Sequence, residues 1–221
     1  MTKILILGGT KEASQLAAQL LADGHKVTTS LAGRTKEPKP VAGEVRIGGF
    51  GGAKGLADYL IENGIEKLID ATHPFAKQIS ENAKQAASSA KVAFETHTRP
   101  PWKKRPDDNW IEVTSLEAAR DYIPSEARVL LALGSQHIDL FKTRDDVFFL
   151  VRMVDQPATP LSLPDCELLI SKPSLDWANE ADMLKVREIT HIVCRNSGGD
   201  GAYAKIVAAR ELKLEVVMIK R

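Results

Sequence analysis

The sequence predicts an α/β protein built from two Rossmann-like domains with mainly parallel sheets. Short apolar runs alternate along the chain with segments whose apolar residues recur at helical spacing, as strands and helices do in this class. Three glycine-rich turns each follow a predicted strand, which is where parallel α/β folds bind phosphate-bearing ligands. Both observations favour a nucleotide-binding type of fold.

The first half of the chain begins with a predicted strand over residues 4–7, an unbroken apolar run typical of a strand buried on both faces. A helix is predicted over residues 10–21, because Ala13, Leu16 and Leu20 recur at helical spacing, and Gly24 ends it. The same alternation predicts strands at residues 26–30, 44–47, 67–71 and 91–95, and helices at residues 52–62 and 74–87.

Residues 98–109 interrupt this alternation with three prolines, four cations and Trp102. We interpret residues 99–109 as a linker, so that an N-terminal domain spans residues 1–98 and a C-terminal domain residues 99–221. In the second domain we predict strands at residues 111–114, 128–133, 147–153, 167–170, 191–194 and 215–219, helices at residues 116–122, 175–186 and 201–212, and a surface loop at residues 155–164.

Composition excludes several classes of function. A formal net charge of +1 creates no field that attracts nucleic acid or membranes, and 5% aromatic residues are too few for a base-stacking surface. No apolar run reaches transmembrane length and no signal-peptide pattern opens the chain, so we expect a cytoplasmic protein with no membrane partner. Cys166 and Cys194 are far apart, and the histidines lack metal-ligand spacing, so we predict no metal site.

The first glycine-rich turn, Gly8-Gly9-Thr10, links the first strand to its helix. Glycines there allow close approach of a pyrophosphate, and the helix N-terminus supplies oriented N–H groups. Ala13 stands where the full dinucleotide fingerprint has its third glycine. The alternative is a tight strand-to-helix turn without a ligand.

The end of the second strand indicates which cofactor binds. Dinucleotide folds place an acid there to hold the ribose of NAD, or an arginine nearby to hold the 2′-phosphate of NADP. Here no acid precedes Glu37, whereas Ser30, Arg34 and Thr35 are available for a phosphate. These residues predict NADPH, and the alternative is that Arg34 is a solvated loop cation.

Two further turns are rich in glycine. Residues 48–52 contain four glycines, which suggests close approach of a ligand or another domain, or a mobile flap, and Gly49 is a candidate to bind the cofactor. A plain irregular loop is the alternative. Residues 196–199 follow a predicted strand and precede a predicted helix, so Ser197 and Gly198 are candidates to bind phosphate. A capped turn is the alternative there.

The predicted strand at residues 67–71 ends in a cluster of polar side chains, Asp70, Thr72 and His73, followed by Pro74. Proline suits the first turn of a helix, so these side chains are predicted to lie at the carboxyl edge of the sheet beside a helix N-terminus. The alternative is that Thr72 caps this helix and Asp70 holds a turn.

Eight segments are similar to those of the precorrin-6A reductases of cobalamin biosynthesis, a family that includes the cobalt-precorrin-6A reductases. They cover essentially the whole chain and stand at residues 6–13, 30–35, 46–52, 69–76, 99–102, 151–154, 196–199 and 205–212. One position departs from the family pattern, because Arg195 stands where a lysine commonly precedes the Asn-Ser-Gly-Gly turn. A planar guanidinium replaces a point charge there.

The resemblance implies NAD(P)H-dependent reduction of one carbon–carbon double bond of a tetrapyrrole, in a cleft between the two domains. NADPH, or alternatively NADH, is expected to bind the candidate cofactor residues, which are Gly8, Gly9, Thr10, Ser30, Arg34, Thr35, Gly49, Thr72, Ser197 and Gly198. The rival interpretations are another NAD(P)-dependent reductase of an anionic substrate and a non-catalytic nucleotide-binding module.

The implied substrate is a flat ring system fringed with carboxylates, so it requires cations. Arg99, Arg152 and Arg195 are the expected substrate-binding cations, and Trp102 is expected either to stack on the macrocycle or to pin the linker. His73 is expected to donate the proton that completes the reduction, oriented by Asp70, with substrate carboxyls or water as alternative donors. We expect a monomer or a weak homo-oligomer.

Overall fold

The computed structural model describes residues 1–33 and 40–221, and these form two compact units, Met1–Arg99 and Pro100–Arg221. Unit 1 contains strands β1 (Lys3–Leu7), β2 (Lys26–Leu31), β3 (Glu44–Ile47), β4 (Lys67–Asp70) and β5 (Ala93–Thr96), and helices α1 (Lys11–Ala22), α2 (Ala53–Glu62) and α3 (Lys77–Ala90). The strand order is β3-β2-β1-β4-β5, and every pair is parallel.

Both faces of the unit 1 sheet are covered by helices. On β1, Leu5 and Leu7 pack in one cluster with residues of α2 and α3, while Ile4 and Ile6 pack on the other face with Ala13 of α1. This alternation follows from the two-residue period of a strand, and burial on both faces explains why residues 4–7 of β1 are all apolar.

Unit 2 contains strands β6 (Trp110–Val113), β7 (Arg128–Ala132), β8 (Phe148–Met153), β9 (Cys166–Ile170), β10 (His191–Arg195) and β11 (Glu215–Ile219), and helices α4 (Leu116–Tyr122), α5 (Trp177–Val186) and α6 (Ala204–Glu211). Its sheet is also parallel, in the order β6-β11-β10-β7-β8-β9, so the first strand of the unit pairs with the last. The predicted α/β class with parallel sheets is confirmed.

Two local predictions were wrong, and one element was not predicted. Helix α3 begins at Lys77 rather than Pro74, because the Ala76 N–H donates to the His73 carbonyl and Pro74 lies in the resulting turn. The fixed φ of proline suits such a turn as well as it suits a helix. Helix α6 begins at Ala204, so the turn at residues 196–199 does not lead directly into a helix. A 3₁₀ helix at Ser135–Phe141 was not predicted.

Within the two described stretches of chain, no helix combines the length and the apolar character that a bilayer crossing requires.

Candidate functional site

The described part of unit 1 forms a pocket of about 220 Å³ where strand ends and two helices meet. Gly8 follows β1, Ser30 and Ala32 lie at the end of β2, and Thr72 follows β4. The remaining lining residues come from β1, the β3–α2 loop, α2 and α3, and they are Leu7, Gly48, Gly49, Phe50, Gly51, Gly52, Leu56, Ile79 and Asn82. The structure therefore brings four predicted cofactor residues, Gly8, Ser30, Gly49 and Thr72, to one pocket at the carboxyl edge of a parallel sheet.

The β1–α1 turn is fixed from two sides. The Thr10 hydroxyl caps α1 by accepting from the Ala13 N–H at 3.0 Å and donates to the Ala71 carbonyl at 3.0 Å. A Cβ at Gly8 would lie 2.7 Å from Thr29 Cγ2, so only glycine allows this turn to pack against β2. Gly9 has φ of +104° and open space where a side chain would project. The turn thus presents backbone rather than side chains at the helix N-terminus.

The polar cluster after β4 forms a turn of its own. Asp70 is buried, and its Oδ1 accepts from the Thr72 N–H at 3.1 Å and from the Thr72 hydroxyl at 2.7 Å. Thr72 therefore does not cap α3, which begins five residues later. The His73 Nδ1 accepts from the Phe75 N–H at 3.3 Å, which places the proton of a neutral His73 ring on Nε2. In this arrangement Phe75 orients the imidazole, and Asp70 shapes the turn.

Arg46 of β3 is a site residue that the sequence-based prediction missed. Its guanidinium donates to the carbonyls of Gly48 at 2.6 Å and Gly49 at 2.8 Å, two lining residues of the pocket. Asn82 of α3 was also missed, and it lines the pocket with its Oδ1 accepting from Gln78 at 3.0 Å. The only available signal was that Arg46 stands two residues before the glycine-rich run. The direction of a side chain cannot be read from one strand residue.

In unit 2, the turn at residues 196–199 is in contact with residues 100–102 and with Arg221 of the same chain. The Asn196 side chain accepts from the Trp102 N–H at 2.7 Å and donates to the Trp102 carbonyl at 3.0 Å. The Ser197 carbonyl accepts from Arg221 at 2.8 Å, and a Cβ at Gly198 would overlap the Pro100 carbonyl oxygen. The glycine is required by this close chain approach. Ser197 and Gly198 thus pack on residues 100–102 and on the C-terminal arginine.

Trp102 pins the segment predicted to be a linker. Its ring N–H donates to the Gly199 carbonyl at 2.7 Å, and its ring lies 5.7 Å from that of Tyr203 and 5.0 Å from the Lys205 ammonium. Burial lowers the pKa of Lys205, which donates to the Ala202 carbonyl at 2.8 Å. Of the two predicted roles of Trp102, the structure therefore supports anchoring.

A second anchor of the same segment lies at Asp108. Its carboxylate accepts from the Arg105 N–H at 2.7 Å and from Arg210 of α6 at 2.8 Å. Residues 102–108 are thus held against unit 2 at both ends and are a packed part of it, not a free linker.

Arg152, predicted to bind substrate, is buried at 7% exposure in the structure. Its Nη1 donates to both carboxylate oxygens of Glu180, at 2.8 and 3.1 Å, and Glu180 is itself 2% exposed. The Ser174 N–H adds a bond to Glu180 at 2.8 Å. This internal pair neutralises Arg152, so the structure argues against its assignment as a substrate cation.

The remaining predicted cations differ in their surroundings. In unit 1, Arg99 forms an ion pair with Glu12 of α1 at 2.6 Å. Burial raises the pKa of the Glu12 carboxyl, but its own backbone N–H and Arg99 outweigh burial and leave that pKa below its usual range. In unit 2, Arg195 lies at the end of β10, where burial lowers the pKa of its guanidinium. Arg34 and Thr35 lie outside the described residues.

A larger depression of about 370 Å³ lies in unit 2 between β9 and the loop that carries Pro157 and Pro160. Apart from Gln156, Thr159 and Cys166 its lining is apolar, and it does not lie at the carboxyl ends of several strands. The unit 1 pocket is the better candidate site, because strand ends and a glycine turn converge on it.

Two parallel sheets flanked by helices, with a pocket at the carboxyl edge of the first, define a Rossmann-like α/β protein. The family model described as precorrin-6x reductase CbiJ/CobK matches residues 3–221, and the chain belongs to this family. The members are oxidoreductases of cobalamin biosynthesis, and a reductase of this kind uses a nicotinamide cofactor.

Individual relatives are similar in sequence to this chain over its full length. Precorrin-6A reductase from Rhodobacter capsulatus is 44% identical over 222 residues, covering 100% of this chain and 88% of the relative. Precorrin-6A reductase from a Sinorhizobium species is 44% identical over 221 residues, covering 99% and 85%. The solved structure of CobK precorrin-6A reductase superposes with a TM-score of 0.96 at 44% identity, covering 100% of this chain and 88% of that one.

Proposed function

We propose that this chain reduces one ring double bond of precorrin-6A with NADPH, giving precorrin-6B. The observation that carries the proposal is the full-length match to relatives named precorrin-6A reductase, at 44% identity. The metal-free precorrin is preferred as substrate because these relatives carry that name. NADPH is preferred over NADH because the segment after β2 contains Arg34 and has no acidic residue before Glu37. An arginine there suits the 2′-phosphate of NADP, whereas an acid suits the ribose of NAD.

The unit 1 pocket supports the assignment of a dinucleotide. The open space beside Gly9 leaves room for a pyrophosphate against the backbone of the β1–α1 turn, and the N-terminus of α1 favours its negative charge. Ser30 and Thr72 contribute polar groups to a wall that is otherwise mostly apolar, as ligand pockets commonly are. We assign Arg34 and Thr35 to the 2′-phosphate.

When bound, NADPH supplies a hydride, and the reduction is completed by a proton added to the neighbouring ring carbon. We assign that proton to His73, because Phe75 holds its Nδ1 as an acceptor and leaves the ring proton on Nε2. Asp70 acts on the same turn from the interior, through its two bonds to Thr72. The carboxylates of the substrate are assigned to Arg99 and Arg195.

The test is an anaerobic assay that follows oxidation of NADPH and of NADH after addition of precorrin-6A or its cobalt-bearing counterpart. The proposal predicts fast oxidation of NADPH with precorrin-6A and slower oxidation in the other three combinations. Oxidation only with some other anionic substrate would make the chain a different reductase. Cofactor binding without oxidation by either macrocycle would identify a nucleotide-binding module.

A further inference from the structure

The β3–α2 loop, residues 48–52, forms one wall of the unit 1 pocket but has little means of holding its own shape. Four of its five residues are glycines, and Gly48, Gly51 and Gly52 have φ of +117°, +75° and +98°. Glycine adopts these conformations readily, but it also loses the most backbone freedom when it becomes ordered. A fixed pocket wall therefore requires a contact from outside the loop.

Arg46 provides that contact from the end of β3. Its Nη1 donates to the Gly48 carbonyl at 2.6 Å and its Nη2 to the Gly49 carbonyl at 2.8 Å, so the planar guanidinium spans two successive peptides. Nη1 also approaches the Ser30 hydroxyl at 3.4 Å. One side chain thereby links the loop to the end of β2, the register neighbour of β3.

The same guanidinium fixes the only side chain of the loop. Its Cζ lies 3.8 Å from the centroid of the Phe50 ring and 5.3 Å from that of Tyr59 on α2, and the two rings meet edge to face at 5.1 Å. A Cβ at Gly55 would overlap the Phe50 carbonyl oxygen, so a glycine inside α2 allows the loop to pack against the helix. Arg46, Phe50 and Gly55 thus act together on the loop.

We propose that Arg46 is a positioning residue for the cofactor, which acts by holding the carbonyls of Gly48 and Gly49 and thus the pocket wall. The proposal rests on the proposed function, since it requires a dinucleotide in this pocket. Because Arg46 acts through the loop and not on the 2′-phosphate, it serves NADPH and NADH alike. In this it differs from Arg34, whose proposed role is specific to the phosphate.

Equilibrium binding without substrate tests the proposal directly. NADPH and NADH are each titrated by their fluorescence into the wild type, Arg46→Lys and Arg46→Gln, with Lys54→Gln as control because Lys54 is an exposed cation at the start of α2. We expect both Arg46 variants to raise the Kd of both cofactors by about tenfold, which corresponds to losing a charge-assisted bond. The expected kcat at saturating cofactor stays within about twofold, and the control binds like the wild type.

Arg46→Lys keeps the charge but not the two-pronged geometry, so restored affinity in this variant would contradict the proposal. Weakening confined to NADPH would show a direct phosphate contact, and unchanged affinity would show a merely structural role; both overturn the proposal. If the Arg46 variants do not fold, Phe50→Leu is expected to weaken the binding of both cofactors. Wild-type affinity of the Phe50→Leu variant would overturn the proposal. A wild-type chain that binds neither cofactor overturns the proposed function itself.

Discussion

Among the single residues around the pocket, some side chains hold the backbone in place and do not themselves face a ligand. The hydroxyl of Thr10 is committed to Ala13 and Ala71, and that of Thr72 to Asp70. Both residues were predicted to bind the cofactor, and in the structure their side chains shape the turns around the pocket. Their contribution to binding is therefore expected to come through the backbone that they position.

Replacing Arg34 tests the 2′-phosphate assignment. Arg34→Ala is expected to raise the KM for NADPH by about tenfold or more, because a charge-assisted bond to phosphate is lost, while the KM for NADH changes little. Steady-state kinetics with both cofactors provide the measurement, and Lys54→Gln is a control for general loss of positive charge in unit 1. Equal changes in both KM values would contradict the assignment.

Replacing His73 tests the proton donor. His73→Ala is expected to lower kcat at saturating NADPH by about a hundredfold, which is within the usual contribution of a general acid. His73→Gln serves as the matched variant, since it keeps a polar side chain without a titratable ring. If turnover is unchanged in both variants, the proton comes from water or from the substrate.

At the scale of elements, the buried pair between β8 and α5 is expected to stabilise unit 2 and to have no contact with substrate. Glu180→Leu leaves the Arg152 charge buried without its partner and is expected to cost about 3–5 kcal/mol of unfolding free energy. The double variant Arg152→Met/Glu180→Leu is expected to recover most of that loss, because neither charge is then buried. Urea denaturation of the single and double variants measures both effects.

The same double variant separates the structural role of Arg152 from the substrate role predicted for it. If Arg152 only pairs with Glu180, the folded double variant keeps the wild-type KM for precorrin-6A. A KM for precorrin-6A that is higher than that of the wild type and depends strongly on salt would instead show that Arg152 binds the substrate.

The strands could be predicted because burial on both faces makes their buried residues apolar, as residues 4–7 of β1 and 192–194 of β10 illustrate. The start of α3 could not, because Pro74 suits a turn as well as a first helical turn. Arg152 and Glu180 are 28 residues apart in the sequence, and no local pattern indicates such a partner. The glycine-rich turns could be used to predict the pocket from the sequence. The role of Arg46 could not be predicted, because it depends on the direction of its side chain.

At the scale of the whole molecule, each unit contributes differently to the candidate sites. Unit 1 carries the pocket that we assign to the dinucleotide, and unit 2 ties residues 100–108 to α6 and to the turn at residues 196–199. The predicted domain boundary lies between residues 98 and 99, whereas Arg99 pairs within unit 1 and Trp102 bonds within unit 2.

Reduction of precorrin-6A by NADPH is best tested by transfer of deuterium from NADPH labelled at C4 of the nicotinamide. Reaction of each C4 stereoisomer with precorrin-6A under anaerobic conditions, followed by mass spectrometry of the tetrapyrrole, shows whether the hydride reaches a ring carbon. We expect a product that retains one deuterium from one stereoisomer and none from the other. A reduced product without deuterium from either stereoisomer, or NADPH left unoxidised, would contradict this expectation.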